Sequence, residues 1–175
     1  AEAIAEAYAR HGVRRFVLDH ADELAKIVQA TGGAEDLELF VRLAVPGDGA
    51  VLTLTGKFGV APAQAAALVV EAREVARAVG LTFHVGSQCR DTAAFARALG
   101  LAAEVVRLAG PVDHVDVGGG FPAAYIGDEP VGALGLQPVL GRLRHGDALQ
   151  PHLVVRDHRL LRGGPGLQLH HRPRA

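Results

Sequence analysis

The chain of 175 residues is long enough to bury one hydrophobic core, and its 49% hydrophobic and 21% charged residues are typical of a soluble globular protein. The single cysteine, Cys89, excludes an internal disulfide, and no apolar run is long and uncharged enough to span a bilayer. The net charge of -1 hides two unlike parts, because acidic residues outnumber basic ones up to residue 130 and basic ones dominate residues 131–175. We expect a cytoplasmic protein with one domain, or part of a larger one.

The N-terminal part of the chain predicts two helices and two strands. Residues 1–8 form an acidic helical pattern and lack the basic and hydrophobic regions of a secretory signal. Residues 15–18 predict a strand that stops at Asp19, and an amphipathic helix with acidic residues in its first turn follows it. Residues 37–45 predict the second strand, which ends at the turn-forming Pro46.

The central part predicts two more helices and two more strands. Apolar residues at helical spacing over residues 68–79 predict a helix that Gly80 ends, and residues 81–85 predict the third strand. The next helix is expected to begin near Asp91, and residues 112–117 predict the fourth strand.

Helices that alternate with short apolar strands are typical of βα units around a parallel sheet, so the predicted fold class is α/β. Four strands are too few to close an eight-stranded barrel, so the chain is either incomplete or an open sheet. The absence of Met favours a fragment, and residues 153–155 are a candidate for one more short strand. We expect residues 1–130 to form the domain and residues 131–175 an atypical tail.

Two polar or glycine-rich blocks follow the third and fourth predicted strands, at residues 84–89 and 116–122. Ligand sites of parallel barrels lie at the C-terminal ends of strands, so the blocks are predicted to be neighbouring lips of one pocket. Gly118, Gly119 and Gly120 leave backbone N–H groups unobstructed, which suits phosphate oxygens. A flexible turn is the alternative for these glycines.

Three other residues are candidates for ligand binding. Ser87 follows Gly86 and offers a hydroxyl and an N–H to the same anion, although a turn serine has the same surroundings. His84 has a flat ring that suits stacking on a heteroaromatic ligand, or it is a strand-end histidine bonded to backbone. Arg42 interrupts an apolar strand and requires an anionic partner, either a carboxylate of a neighbouring strand or a ligand oxygen.

Taken together, these blocks resemble the pyridoxal-phosphate-dependent ornithine/lysine/diaminopimelate decarboxylase family, whose catalytic domain is an alanine-racemase-like (β/α)8 barrel. The resemblance covers residues 1–125 and implies a partial (β/α)8 TIM-type barrel of the alanine racemase N-terminal-domain type. The first strands of the barrel and the C-terminal β domain would be missing. The matching blocks are Gly12-Val13 with residues 16–19 and Glu23-Leu24, then residues 41–44, 57–60, 83–87 and 116–122.

The resemblance implies pyridoxal 5'-phosphate (PLP) as the cofactor. His84, the candidate catalytic residue, would stack on the pyridine ring, and Arg42 would lie near the cofactor. Ser87 together with Gly118, Gly119 and Gly120 would hold the phosphate. Lys57 is similar to a family lysine that supports the dimer interface and the neighbourhood of the active site.

The chain departs from the family in several places. The lysine that holds the cofactor covalently lies upstream of this chain in the resembled enzymes, and Lys26 is interpreted as a solvated surface residue. Residues 137–142 stand where a phosphate-binding Glu-Pro-Gly-Arg motif is expected. The tail from residue 131 is either a genuine divergent extension or the product of a reading-frame change. Cys89 has no implied catalytic role and is interpreted as a small buried side chain.

The resemblance favours decarboxylation of a basic amino acid, with conversion of ornithine to putrescine in polyamine biosynthesis as the first hypothesis. A diaminopimelate decarboxylase, a noncatalytic regulatory homologue and a barrel enzyme with another phosphorylated ligand are the alternatives. The 175 residues alone are expected to be inactive, because they lack the lysine that holds the cofactor. They are also expected to aggregate, because a partial barrel exposes strand edges and its hydrophobic interior.

The expected partners are a small-molecule amino-acid substrate and, for the full-length parent, a second copy in a homodimer. The basic tail lacks the aromatic residues and motifs of a nucleic-acid-binding segment, and no membrane partner is expected. His170-His171 lacks the partner pattern of a metal site.

Overall fold

The structure of the chain, a computed structural model, describes residues 1–46, 57–121 and a short strand at 152–154. Helices and strands alternate along these residues, and no helix among them is both long and apolar enough to cross a membrane. The elements are α1 (Glu2–His11), β1 (Arg15–Leu18), α2 (Ala21–Ala30), β2 (Glu38–Arg42), α3 (Pro62–Arg73), β3 (Ala78–Thr82), α4 (Thr92–Ala109), β4 (His114–Asp116) and β5 (His152–Val154).

The described strands form one parallel sheet in which neighbours follow chain order, β1-β2-β3-β4-β5. A helix separates β1 from β2, β2 from β3, and β3 from β4. A doubly wound sheet reverses its strand order at a switch point, whereas a (β/α)8 barrel adds each strand beside the last. The strand order therefore confirms the predicted α/β class and agrees with the barrel type.

The two faces of the sheet have different surroundings. Successive side chains of a strand point to opposite faces, so Leu39 and Val41 of β2 share one face and Phe40 and Arg42 the other. Leu39 and Val41 are fully buried in the core cluster, which also contains the buried residues of α2, α3 and α4. The face opposite the helices carries Arg42, whose register partner on β3 is Thr82.

Local sequence signals place the helix starts. Asp91 caps α4 by accepting a hydrogen bond from the Ala93 N–H at 2.8 Å, as its predicted position near the start of that helix implies. Pro62 occupies the first turn of α3, where its missing N–H costs no hydrogen bond. His20 caps α2 through Nδ1, which accepts from the Asp22 N–H at 3.1 Å.

The third predicted strand and the helix before it are wrong in their bounds. The helix ends at Arg73 and the strand runs from Ala78 to Thr82, so Gly80 lies inside the strand and does not end the helix. The Phe40 ring explains this glycine, because a Cβ at Gly80 would lie 2.6 Å from Phe40 Cε1. The first strand is confirmed at residues 15–18, whereas the second and fourth are shorter than predicted.

The fifth strand lies in the predicted tail. His152–Val154 pairs in parallel with β4, one residue earlier than the candidate strand at residues 153–155. The predicted domain boundary at residue 130 stays a prediction. Residues 137–142 and His170-His171 lie outside the described residues, as does Pro122.

Candidate functional site

Two loops lie side by side at the C-terminal edge of the sheet. We call residues 83–91 the β3 loop and residues 117–121 the β4 loop. The Cys89 N–H of the β3 loop donates to the Gly120 carbonyl at 2.8 Å, and the Phe121 ring stacks on Phe95 of α4 with 4.9 Å between centroids. The predicted proximity of the two polar blocks is thus present in the structure.

Close backbone approach fixes the β4 loop against the β3 loop. Gly118 and Gly120 have φ values of 66° and 95°, a region that L side chains rarely adopt. A Cβ at Gly118 would lie 2.2 Å from the Phe83 carbonyl oxygen, and one at Gly120 would lie 2.0 Å from the Gly86 carbonyl oxygen. These contacts favour a fixed loop over the alternative of a flexible turn.

Gly119, the middle glycine of the three, lies beside the His84 ring. A Cβ at Gly119 would lie 3.5 Å from His84 Nε2, an ordinary van der Waals contact. The lack of a side chain at Gly119 therefore keeps space open beside the imidazole. The structure brings His84 and the triple glycine together, as the sequence predicts.

Hydrogen bonding determines which nitrogen of His84 carries a proton. The Gly86 N–H donates to His84 Nδ1 at 3.0 Å, so Nδ1 is unprotonated and the neutral ring carries its hydrogen on Nε2. Burial lowers the pKa of His84 below its usual 6.5, the charge of Arg42 lowers that pKa further, and Asp116 opposes both. The half-buried ring is accordingly uncharged at neutral pH.

Arg42 lies on Phe58. Its Cζ is 4.7 Å from the centroid of the Phe58 ring, within the range of a cation–π interaction. Among residues 1–46 and 57–121, no carboxylate forms an ion pair with Arg42. Of the two predicted alternatives, a carboxylate partner is therefore absent from the described residues, and the ligand oxygen is the one left to test.

Sequence reasoning gave no role to two aspartates at this edge of the sheet. Asp116 Oδ1 accepts from the Gly118 N–H at 2.9 Å, and Asp19 Oδ2 accepts from the Gly59 N–H at 2.8 Å. Their position at strand ends was the available signal, since polar side chains there face the loops. Lys57, next to Phe58, is exposed.

The middle of the β3 loop is tightly turned. Ser87 is exposed and lies between Gly86, with φ 101°, and Gln88, a non-glycine residue with φ 54°. A left-handed backbone at a residue other than glycine persists only where its surroundings fix it. Cys89 is buried, and its Sγ contacts the Asp91 carbonyl oxygen at 3.5 Å, which agrees with the interpretation of a small buried side chain.

A parallel sheet whose strands follow chain order is the arrangement of (β/α) barrel proteins, which carry their ligand sites at the C-terminal ends of the strands. Residues 1–142 match the family described as "Pyridoxal-dependent decarboxylase, pyridoxal binding domain". The chain belongs to this family.

Two curated relatives illustrate the different proteins to which the chain is similar. Lysine/ornithine decarboxylase of Selenomonas ruminantium is 38% identical over 122 residues, which cover 67% of this chain and 30% of that protein. Human antizyme inhibitor 2 is 31% identical over 119 residues, which cover 65% of this chain and 25% of that protein. The chain therefore spans less than a third of the length of these relatives.

A solved structure with the same fold is the lysine/ornithine decarboxylase of Vibrio vulnificus complexed with cadaverine. It is 30% identical and superposes with a TM-score of 0.66 over 89% of this chain and 40% of that one. The similarity agrees with a partial barrel.

Proposed function

We propose that this chain is the cofactor-binding part of a PLP-dependent decarboxylase of a basic amino acid, with ornithine as the preferred substrate. Membership of the pyridoxal binding family supports the cofactor. The observation that carries the proposal is that the neutral His84 ring lies beside Gly119, in a glycine-rich loop whose backbone is fixed in place.

The described residues fit PLP. The ring of His84 would lie against the pyridine ring, and Ser87 would donate its hydroxyl to the phosphate. Because the Gly118 N–H is already bonded to Asp116, the amides of Gly119 and Gly120 are the proposed phosphate donors of the triple glycine. Gly118 would instead contribute the backbone turn that aims them.

The chemistry follows from the charges at this edge of the sheet. Bound PLP supplies the electron sink that decarboxylation requires. His84 holds no proton on Nδ1 and presents an uncharged face, while Arg42 places a positive charge beside the site to attract an anionic group. Of the two lysines, Lys26 forms an ion pair with Glu23 on the surface of α2 and Lys57 is exposed. Neither is proposed to hold PLP covalently, so the isolated chain should bind PLP without turning over substrate.

The choice of ornithine follows the relatives that are named ornithine decarboxylase alone, such as that of Caenorhabditis elegans, which is 36% identical over 118 residues. The Selenomonas ruminantium and Vibrio vulnificus proteins are named lysine/ornithine decarboxylases, so lysine is the rival substrate.

A noncatalytic regulator is the second candidate. Its support is the similarity to human antizyme inhibitor 2. Such a protein would keep the fold without turnover.

Binding measurements on the 175-residue chain test the cofactor site. PLP, pyridoxal and inorganic phosphate are titrated separately, with amide chemical shifts as the readout. PLP should shift the amides of Gly119, Gly120 and Ser87 together with the His84 ring, whereas pyridoxal, which lacks the phosphate, should shift only the ring. Absence of PLP binding, or shifts confined to other residues, would contradict the proposal.

The full-length parent protein separates the two candidate functions. Its PLP binding is measured, and its release of carbon dioxide is measured with ornithine and with lysine. Turnover with ornithine favoured would support the decarboxylase. PLP binding without turnover would support the regulator, and turnover confined to lysine would overturn the substrate assignment.

A further inference from the structure

We propose that Asp19 is a positioning residue that fixes the Arg42 guanidinium at the site through Gly59 and Phe58. This inference deepens the proposed function and rests on it only for the role of Arg42 toward the cofactor. The contacts that carry it are present in the described residues without any ligand.

The first link joins the end of β1 to the segment after Lys57. Asp19 Oδ2 accepts a hydrogen bond from the Gly59 N–H at 2.8 Å, between residues 40 positions apart. Gly59 has a φ of 88°, and a Cβ there would lie 2.5 Å from the Ala44 nitrogen. Gly59 is therefore held by the Asp19 hydrogen bond and by close contact with the backbone that follows β2.

The second link joins this segment to Arg42. The Val60 N–H donates to the Arg42 carbonyl at 3.0 Å, and the Ala44 N–H donates to the Val60 carbonyl at 2.9 Å. Phe58 is 52% exposed, so its own packing does not determine its place. The backbone anchors at Gly59 and Val60 hold the Phe58 ring under the guanidinium.

The third link joins Arg42 to His84. The charge of Arg42 is one reason why the pKa of His84 is lowered, after burial, while Asp116 acts in the opposite direction. If Phe58 moves, the guanidinium loses its platform and turns toward water, and its effect on His84 weakens. Removal of the Asp19 acceptor should therefore change the pKa of His84.

The sign of that effect separates positioning from a direct charge effect. Asp19→Ala also removes a negative charge, which by itself would lower the pKa of His84. Release of Arg42 would raise it. Asp19→Asn loses the charge but keeps an oxygen acceptor for the Gly59 N–H, so it isolates the hydrogen bond.

The experiment measures the pKa of His84 by NMR in the PLP-free 175-residue chain. The variants are Asp19→Ala, Asp19→Asn and Phe58→Leu, with the double variant D19A/F58L. The matched control is Asp113→Ala, because Asp113 Oδ2 accepts the Val79 N–H at 3.0 Å, before β4 and away from the strand-end loops. PLP affinity is measured on the same proteins.

We expect the pKa of His84 to be higher in D19A than in D19N, which loses the same charge, to rise in F58L, to rise no further in D19A/F58L than in F58L, and not to rise in D113A. D19A should bind PLP about five-fold more weakly than D19N, because a released guanidinium loses about one charge-assisted contact with the anionic cofactor. A pKa in D19A equal to or below that in D19N, or an equal rise in D113A, overturns the inference. If D19A does not fold, a rise in F58L with none in D19N still supports it, and any other pattern overturns it.

Failure of the proposed function would look different. In that case the wild-type chain would not bind PLP, while the pKa of His84 would still respond to Asp19 and Phe58 as described.

Discussion

Replacement of Gly118 by alanine tests whether close approach of the backbone builds the site. The new Cβ would lie 2.2 Å from the Phe83 carbonyl oxygen, at a φ of 66°. A left-handed conformation costs an L residue about 1–2 kcal/mol, and forced overpacking adds about 1–3 kcal/mol. We therefore expect Gly118→Ala to lower the free energy of unfolding by about 2–5 kcal/mol, a large share of the roughly 5–15 kcal/mol typical of native proteins.

Two other glycines provide matched controls for the same chemical change. Gly100 lies within α4 with open space around it, so Gly100→Ala should stabilise the chain by about 0.5–1 kcal/mol. Gly119→Ala should leave stability nearly unchanged, because the new methyl group makes an ordinary contact at 3.5 Å from His84 Nε2. That methyl group would, however, fill the space beside the ring and weaken PLP binding.

The assay is urea unfolding of the 175-residue chain and its variants, followed by far-UV circular dichroism, with PLP affinity measured in parallel. Equal stability of Gly118→Ala and wild type would refute the argument that the two loops touch. Equal PLP affinity of Gly119→Ala and wild type would refute the assignment of the space beside His84 to the cofactor.

Three further predictions concern His84, Glu38 and Cys89. His84→Phe should retain most of the PLP affinity and His84→Ala should lose about five- to ten-fold, the size of one ring stack, as measured by absorbance titration; equal losses would exclude stacking. Burial raises the pKa of Glu38, but the hydrogen bonds and charges of Arg15 and Arg77 outweigh it and lower that pKa below its usual 4.5. The stability that Glu38 contributes is therefore present above pH 4.5 and is lost as the pH falls through the lower folded-state pKa, and Glu38→Gln should flatten this dependence in acid unfolding; an unaltered acid transition would contradict this. Cys89, which is buried, should react with a thiol reagent only in urea, and fast labelling of the native chain would contradict its placement.

Local signals predicted much of the fold. Residues 15–18 are bounded by polar residues on both sides, and the strand has those bounds in the structure. Asp91 was expected near the start of a helix because a short acceptor side chain satisfies an N-terminal N–H, and it does so. The parallel sheet followed from the alternation of helices and strands.

Errors arose where a local pattern allowed two structures. Val75 and Val79 continue the helical spacing of α3, yet Val79 pairs with Leu39 in the sheet. Gly80 ended the predicted helix, whereas the structure uses it to accommodate the Phe40 ring from the neighbouring strand. The packing of one strand on another decides such positions, and a single segment does not contain that information.

The sequence indicated which two loops lie together, but it did not indicate how the candidate residues are connected. The glycine-rich and histidine-containing blocks were visible because both follow strands. The hydrogen bond of Asp19 with Gly59 spans 40 positions of the chain. The Gly118 N–H already donates to Asp116, which changes the choice of amides that are proposed to bind phosphate. Both depend on three-dimensional proximity.

A crystal structure of the chain with PLP tests the central claim most directly. The account predicts the pyridine ring against the imidazole of His84 and the phosphate within hydrogen-bond distance of the Gly119 and Gly120 amides and of Ser87. PLP bound at another edge of the sheet, or a phosphate held without either glycine amide, would contradict it.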